Sequence, residues 1–308
     1  MKAVLIHQYG SPEELKYEDT AIPEIQPDEV LIKVMATSVN PVDIKVRQGH
    51  DKFAKRTFPV ILGWDVSGVI EKVGNKVDDF TVGDEVFARP NVARNGTYAE
   101  YVAVQAKEIS PKPVTLDHLQ SAAIPLAGLT AWQGIFDHGE LQAGQKILIQ
   151  GAAGGVGTFA VQLAKWKGAY VIGTASQDHI QFLKELGADE VIDYKKEKFE
   201  EVLKDLDVVF DTIGGDTQLK SLQVLKPGGI LVSTVGINDP DAVKAKGIIG
   251  KAYMAQSVPA NLEQLADLAD AGKIKPIISE VLPLEEVRKA HETIEKGHTK
   301  GKIVIKVA

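Results

Sequence analysis

The hydrophobic rhythm of the chain changes near residue 121. Before it, apolar positions come in short runs rich in β-branched residues: KAVLI (2–6), DEVLIKVMATSV (28–39), VSGVIEKVG (66–74), DEVFA (84–88) and TYAEYVAV (97–104). Turn formers such as Gly10-Ser11-Pro12, Gly83-Asp84 and Asn95-Gly96 punctuate them. Such runs read as strands, and many short strands with turn signals predict a barrel or sandwich. After it, strands and helices alternate. KILIQ (146–150) leads to a helix ending near Lys167, then YVIGT (170–174), a helix over about 178–186 and EVIDY (190–194). A helix over about 198–205, DVVFDT (207–212), a helix near 217–225 and ILVSTV (230–235) complete the series. Alternation of this kind predicts βαβ units around a parallel sheet, whose strands are covered on both faces and read as continuous apolar runs. NLEQLADLADAG (261–272) and PLEEVRKAHETIEKG (283–297) have helical spacing, and GKIVIKV (301–307) reads as a closing strand. Its alternation matches the first half, so the expected domains are 1–120 with a return over 265–308, and 121–264.

Gly151, Gly154 and Gly157 recur every third residue between a strand and a helix. A turn of this kind brings backbone N–H groups and a helix N-terminus to face an anion, which is how a dinucleotide pyrophosphate is held. The form is G-x-x-G-x-x-G, and a purely structural turn has the same spelling. Placement inside a βαβαβ series favours the phosphate. No Lys-Ser or Lys-Thr follows, so a mononucleotide P-loop is excluded. The expected cradle is Ala153, Gly154, Gly155 and Val156. Where an acid would take the adenosine ribose hydroxyl, the strand ends in Ala175 and Ser176. Ser176 suits a 2′-phosphate and favours NADP(H), with Tyr194 and the cations Lys195 and Lys196 nearby; Ser176 as a plain helix N-cap is compatible with this. Loops at the carboxyl ends of the other strands, at Thr130, Thr212, Val235 and Gly236, are expected to line the cofactor.

Composition narrows the choice of function. The 308 residues carry a net charge of −7, against a nucleic-acid groove as the main role. No apolar stretch approaches the ~18 residues of a membrane span. The N-terminal segment turns polar by His7, so a cytoplasmic location is expected. There are no cysteines, which removes thiolate nucleophiles and every sulfur-ligated zinc site. The histidines at 7, 50, 118, 138, 179, 291 and 298 show no metal-ligand spacing.

GQKILIQGAAGGVGTFAVQLAK (144–165) resembles the quinone oxidoreductase signature of the medium-chain dehydrogenase/reductase superfamily. SVNPVDIKVRQG (38–49), LGWDVSGVIEKVG (62–74), VGDEVFA (82–88), GTYAEYV (96–102), IPLAGLTAW (124–132) and HTKGKIVIKV (298–307) resemble its other segments, in order, over nearly the whole chain. The resemblance implies an α/β protein with an N-terminal GroES-like β-barrel domain and a Rossmann doubly wound parallel sheet, the active site lying in the cleft between. It implies NADPH-dependent reduction of quinones, or of activated C=C bonds in enones and enals, by a homodimer or homotetramer. It adds the AQS segment (255–257) and Gly301-Lys302 to the cofactor residues. Metal-dependent members of the superfamily bind zinc through a Cys near the position of Asn40, a Gly-His-Glu motif and a further Cys or Asp. Here Asn40 and Gly63-Trp64-Asp65 stand instead, so a zinc-independent enzyme and an already activated acceptor are expected.

Hydride addition to an enone leaves negative charge on the carbonyl oxygen, which the protein must stabilise. The expected catalytic residues lie in NPVDIK: Asn40 as an amide donor, Asp43 to order the loop or contact the nicotinamide side, and Lys45 as the cation. Asp43 and Lys45 read equally well as a surface pair. Trp64 and Tyr98 read as core or as walls of the site. An NADPH-binding sensor on the same fold is the alternative.

Overall fold

The computed structural model describes residues 1–50, 55–297 and 299–308, and the chain divides into two compact units. The first comprises 1–129, 257–272 and 276–308; the second comprises 130–256 and 273–275. Residues 121–129 and 257–264, which the rhythm of the sequence assigns to the nucleotide-binding half, thus belong to the first unit.

The first unit opens with β1 (Lys2–Ile6), β2 (Lys16–Asp19), β3 (Glu29–Ser38), β4 (Val60–Ile61), β5 (Val66–Val73), β6 (Glu85–Ala88), β7 (Tyr101–Gln105) and β8 (Ile109–Pro111). The period of two along β3 sends Val30, Ile32 and Val34 to one face, where they pack with Val66, Ile70, Val86, Val102, Val104 and Ile109. Burying each such side chain contributes about 1.5–3 kcal/mol. β3 leads into a helix, Pro41–Arg47, where the sequence suggests a loop. Its start is dictated locally: Asn40 is the N-cap, Pro41 fixes φ in the first turn, and the Asp43 carboxylate accepts the Asn40 N–H at 2.8 Å.

The second unit holds β9 (Lys146–Ile149), β10 (Tyr170–Ala175), β11 (Glu190–Asp193), β12 (Leu206–Asp211), β13 (Leu225–Ser233) and β14 (Ile249–Ala252). All pairings are parallel, in the order β11-β10-β9-β12-β13-β14. Counted from its own first strand this is 3-2-1-4-5-6, the doubly wound order of dinucleotide-binding folds. Leu148, Ile172, Ile192, Val209 and Leu231 share one buried cluster on the sheet. The helix expected over 198–205 is shorter, Phe199–Val202, and a helix at Pro240–Ala245 precedes β14.

The chain returns through a helix at Pro259–Asp270 and ends in β15 (Ile278–Pro283) and β16 (Lys302–Lys306). β16 lies antiparallel to β3 and parallel to β15, which completes the order β15-β16-β3-β5-β6-β8, with β7 also on β3. A smaller sheet has the order β2-β1-β4. Among the described residues, no helix is long and apolar enough to cross a membrane.

Candidate functional site

In the second unit the glycine turn joins β9 to the helix Gly155–Trp166. The turn is pinned from three strands. The Gly151 N–H donates to Thr174 Oγ1 (3.2 Å), Thr174 Oγ1 donates to Gln150 Oε1 (2.7 Å), and Thr212 Oγ1 donates to the Gln150 carbonyl (2.9 Å). Gly151 has φ +69°, and a Cβ at Gly157 would lie 2.3 Å from the Gly151 carbonyl oxygen. Both positions therefore require glycine. Gly154 differs: a Cβ there would meet only that oxygen, at 3.4 Å, so the space over the helix start is open. Gly154 is the N-cap and no side chain caps the helix. The N–H groups of its first turn, at Gly155 and Val156, are left for an external acceptor. An open glycine cradle at the positive end of a helix fits a pyrophosphate. Ala153, next to Gly154 in the turn, is buried.

Ser176 follows β10 at the N-cap position of a short turn, yet its side chain makes no capping bond. The Tyr194 N–H donates to the Ala175 carbonyl at 3.3 Å, which sets Tyr194 next to Ser176. Lys196 Nζ donates to Gln177 Oε1 at 2.7 Å, and Lys195 lies over the Tyr194 ring. Ser176, Tyr194, Lys195 and Lys196 thus gather at the carboxyl ends of β10 and β11. Val235 is exposed after β13, and Gly236 has φ +98°. Asp211 shapes this edge: its buried carboxylate accepts the N–H groups of Ile213 and Gly214 and the side chains of Gln218 and Ser233. Gln218 then donates to the Gly236 carbonyl at 2.7 Å. The Thr130 carbonyl accepts the Tyr253 hydroxyl.

In the first unit, Asn40, Asp65 and Lys302 form a buried polar knot, at 2%, 0% and 4% exposure. Lys302 Nζ donates to the Val39 carbonyl (3.0 Å), to Asn40 Oδ1 and to Asp65 Oδ2 (3.3 Å). An ammonium has three donors, and all three are directed to protein acceptors. Asp65 also accepts from Ser38 Oγ (2.5 Å), Asn40 Nδ2 (2.7 Å) and the Leu126 N–H (2.6 Å). Both ends of the Asn40 amide are therefore held within the knot.

Asp43 is fully buried. Its Oδ2 accepts the Asn40 N–H and the Tyr98 hydroxyl (2.6 Å), while Oδ1 has no partner. Burial pushes its carboxyl up to about 7, against the pull of these hydrogen bonds. Tyr98 Oη is 3.3 Å from His291 Nε2, and His291 Nδ1 is 3.2 Å from Arg47 Nη1. Arg47 can only donate, so Nδ1 is an acceptor and Nε2 carries the hydrogen. The chain of donors runs in one sense: Arg47 to His291, His291 to Tyr98, Tyr98 to Asp43. Burial, with the Arg47 charge beside it, lowers His291 to about 3. Glu295 Oε1 closes the far end on Arg47 Nη2 at 2.6 Å.

Lys45 stands apart. It is exposed, whereas Asp43 on the same helix is buried. Two residues along a helix turn the chain by roughly 200°, so the two side chains diverge. This corrects the reading of a surface Asp43–Lys45 pair, since Asp43 is buried and bonded to Asn40 and Tyr98. Trp64 and Tyr98 are both at 0% exposure and belong to the core. Asp65, Arg47 and His291 join the site without having been expected there; the signal for Arg47 is its place three and four positions after Ile44 and Asp43, on one face of the helix. His298 lies outside the described residues.

Known proteins resemble this chain in sequence and fold. A family model described as an alcohol dehydrogenase GroES-like domain matches residues 26–114, and one described as a zinc-binding dehydrogenase matches residues 186–305. The human protein named NAD(P)H oxidoreductase RTN4IP1, mitochondrial, is 38% identical over all of this chain and 89% of its own length. The NADPH-dependent alkenal/one oxidoreductase of Arabidopsis thaliana, named as chloroplastic, is 38% identical over 99% of this chain and 79% of its own. The solved structure of the quinone oxidoreductase from Coxiella burnetii superposes with a TM-score of 0.95 at 38% identity, covering 100% of this chain and 99% of that one. With these two domain matches, and relatives 38% identical over the whole chain, the chain belongs to the quinone oxidoreductase family of the medium-chain dehydrogenase/reductase superfamily, a family of nicotinamide-dependent oxidoreductases.

Proposed function

We propose that the protein is a zinc-independent reductase that uses NADPH to reduce quinones or the activated C=C bond of enones and enals. The observation that carries the reading is the Asn40–Asp65–Lys302 knot. Asn40 and Asp65 stand in the two segments where the metal-dependent members carry a ligand cysteine and the Gly-His-Glu motif, and Lys302 brings an ammonium to Asp65. A cation already hydrogen-bonded to this carboxylate opposes a second one there. Without Lewis-acid polarisation the acceptor must arrive activated, as a quinone or enone does. The relatives named for quinones and alkenals support the same class.

When bound, the reduced nicotinamide supplies the hydride and both electrons. The residues of this chain hold and orient. Gly155 and Val156 offer N–H groups to the pyrophosphate, while Gly154, whose own N–H is held by the Gly151 carbonyl, keeps the space over the helix start open beside the buried Ala153. Ser176, Tyr194, Lys195 and Lys196 receive the 2′-phosphate, while Thr130, Thr212, Val235 and Gly236 border the cofactor. Asn40, Asp43 and Lys302 keep the loop after β3 in one conformation; Lys302 acts there indirectly, because its donors are committed. A cytoplasmic location and a homodimeric or homotetrameric state belong to the same reading.

Purified protein treated with EDTA tests it, with NADPH oxidation followed against ortho- and para-quinones, enals and enones, and NADH as control. Turnover with NADPH and at least ten-fold preference over NADH is the expected result. Activity that requires added zinc would overturn the reading, and so would binding of NADPH with no acceptor turned over.

A further inference from the structure

A reductase of this kind needs a donor for the acceptor's oxygen. Lys45 is an exposed side chain on the helix after β3, and the donors of Lys302 and Asn40 are spent inside the knot. Arg89 is different. It follows β6, is 8% exposed, and its Nε is buried with no hydrogen-bond partner. Nη1 reaches Ser257 Oγ at a long 3.4 Å, and that hydroxyl donates its own hydrogen to the Arg89 carbonyl. Among the described residues Arg89 forms no ion pair. Asp65 and Glu108 act on it only through space, and burial pulls its pKa below the ordinary value. Every other arginine is engaged: Arg47 with Glu295, His291 and the Gly10 carbonyl, Arg56 with the Val92 carbonyl, Arg94 with Glu29, Arg288 with Glu13. A buried guanidinium that lacks a counter-charge is costly to keep. A buried donor without a partner calls for an explanation, and for a charged one a bound anionic or carbonyl oxygen supplies it.

We propose that Arg89 is a catalytic residue whose guanidinium donates to the carbonyl oxygen of the acceptor and stabilises the negative charge that develops there. The inference rests on the reductase reading above. Addition of hydride at the β-carbon forms one C–H bond, breaks the C=C π bond, and moves an electron pair through the conjugated system onto the oxygen beside Arg89. A proton from solvent at the α-carbon then gives the saturated ketone or aldehyde. With a quinone, hydride addition gives the hydroquinone anion, which takes its proton from solvent. In each case the acceptor gains two electrons and the cofactor loses two.

The test uses Arg89→Met and Arg89→Lys beside the unaltered protein. Arg89→Met is expected to lower kcat at least 100-fold, the scale for loss of one oxyanion donor. KM and the Kd for NADPH should stay within about three-fold. Arg89→Lys restores part of kcat, and it carries the test if Arg89→Met fails to fold. A second readout needs no turnover. 4-Nitrophenol, whose anion is coloured, is titrated with pH in the presence of NADP+ and each protein. The unaltered protein should bind the phenolate and lower its apparent pKa by at least one unit, and Arg89→Met should abolish that shift. A folded Arg89→Met with kcat within three-fold overturns the proposal, as does an equal or absent phenolate shift. If the unaltered protein turns over no acceptor, the reductase reading falls, while the phenolate titration still decides whether Arg89 receives an oxyanion.

Discussion

Replacing Asp43 by asparagine changes how stability depends on pH, and the sign follows from two buried groups that oppose each other. Burial raises Asp43 from 3.8 to about 7. Between those values the folded chain holds a proton that the unfolded chain has released, so this group's contribution falls as pH rises. Burial, with Arg47 beside it, lowers His291 from 6.5 to about 3. Between those values the unfolded chain holds the extra proton, so stability rises with pH. Each slope is about 1.4 kcal/mol per pH unit, and from about pH 4 to 6.5 they offset each other. In Asp43→Asn the amide oxygen keeps the acceptor role of Oδ2 toward Asn40 and Tyr98, and the NH2 group occupies the place of the unpartnered Oδ1. Only the His291 slope then remains from this pair. All other titrating groups are common to both proteins and cancel in the difference. The stability of the variant relative to the unaltered protein should therefore rise by on the order of 3 kcal/mol between pH 4.5 and 6.5. The assay is urea unfolding at several pH values, in a Trp132→Phe, Trp166→Phe background that leaves Trp64, buried in the same core cluster as Tyr98, as the reporting indole. A difference that does not change with pH would refute the reasoning.

Three further outcomes are expected. Gly157→Ala puts a methyl group 2.3 Å from the Gly151 carbonyl oxygen, so stability should drop by about 1–3 kcal/mol and NADPH affinity by more than ten-fold, whereas Gly154→Ala should leave stability within about 1 kcal/mol and weaken only the cofactor; urea unfolding and fluorescence titration measure the two. Lys302→Met leaves Asp65 without its ammonium inside the knot and should cost about 3 kcal/mol, the low end for a broken buried pair because Ser38, Asn40 and Leu126 still donate; a cycle with Asp65→Asn measures the coupling. Ser176→Asp puts a carboxylate where the 2′-phosphate is expected, and the ratio of kcat/KM for NADPH over NADH should fall by at least ten-fold.

The elements legible in the sequence are those with strong periodicity. KILIQ and DVVFDT read as buried parallel strands because both sheet faces are covered, and β9 and β12 lie at the centre of their sheet. β14 at the sheet edge is mostly exposed, and in β15 only Leu282 is buried among exposed and half-buried positions, so neither leaves an apolar run. The helix at Pro41 was hidden by its own start signal. Asn-Pro reads as a turn, yet Asn40 followed three residues later by Asp43 is also a capping box, and that pattern would have revealed the helix. A loop gives its residues no face, so in sequence Lys45 groups with Asp43. The polar knot was beyond local reading. Lys302 meets Asn40 across 262 positions and Asp65 across 237, a juxtaposition made only when β16 lies along β3. Arg89 carried no signal beyond its presence in FARPN, since what sets it apart is burial without a partner.

In the proposed reaction with an enone, hydride passes from the nicotinamide to the β-carbon of the acceptor. NADPH carrying deuterium at C4, in each of its two stereoisomers, would be supplied with a short enone in ordinary water, and the product read by mass spectrometry and NMR. The account predicts one deuterium at the β-carbon of the saturated ketone, from one stereoisomer only, and hydrogen from water at the α-carbon. A saturated product with no deuterium at the β-carbon from either stereoisomer would contradict it.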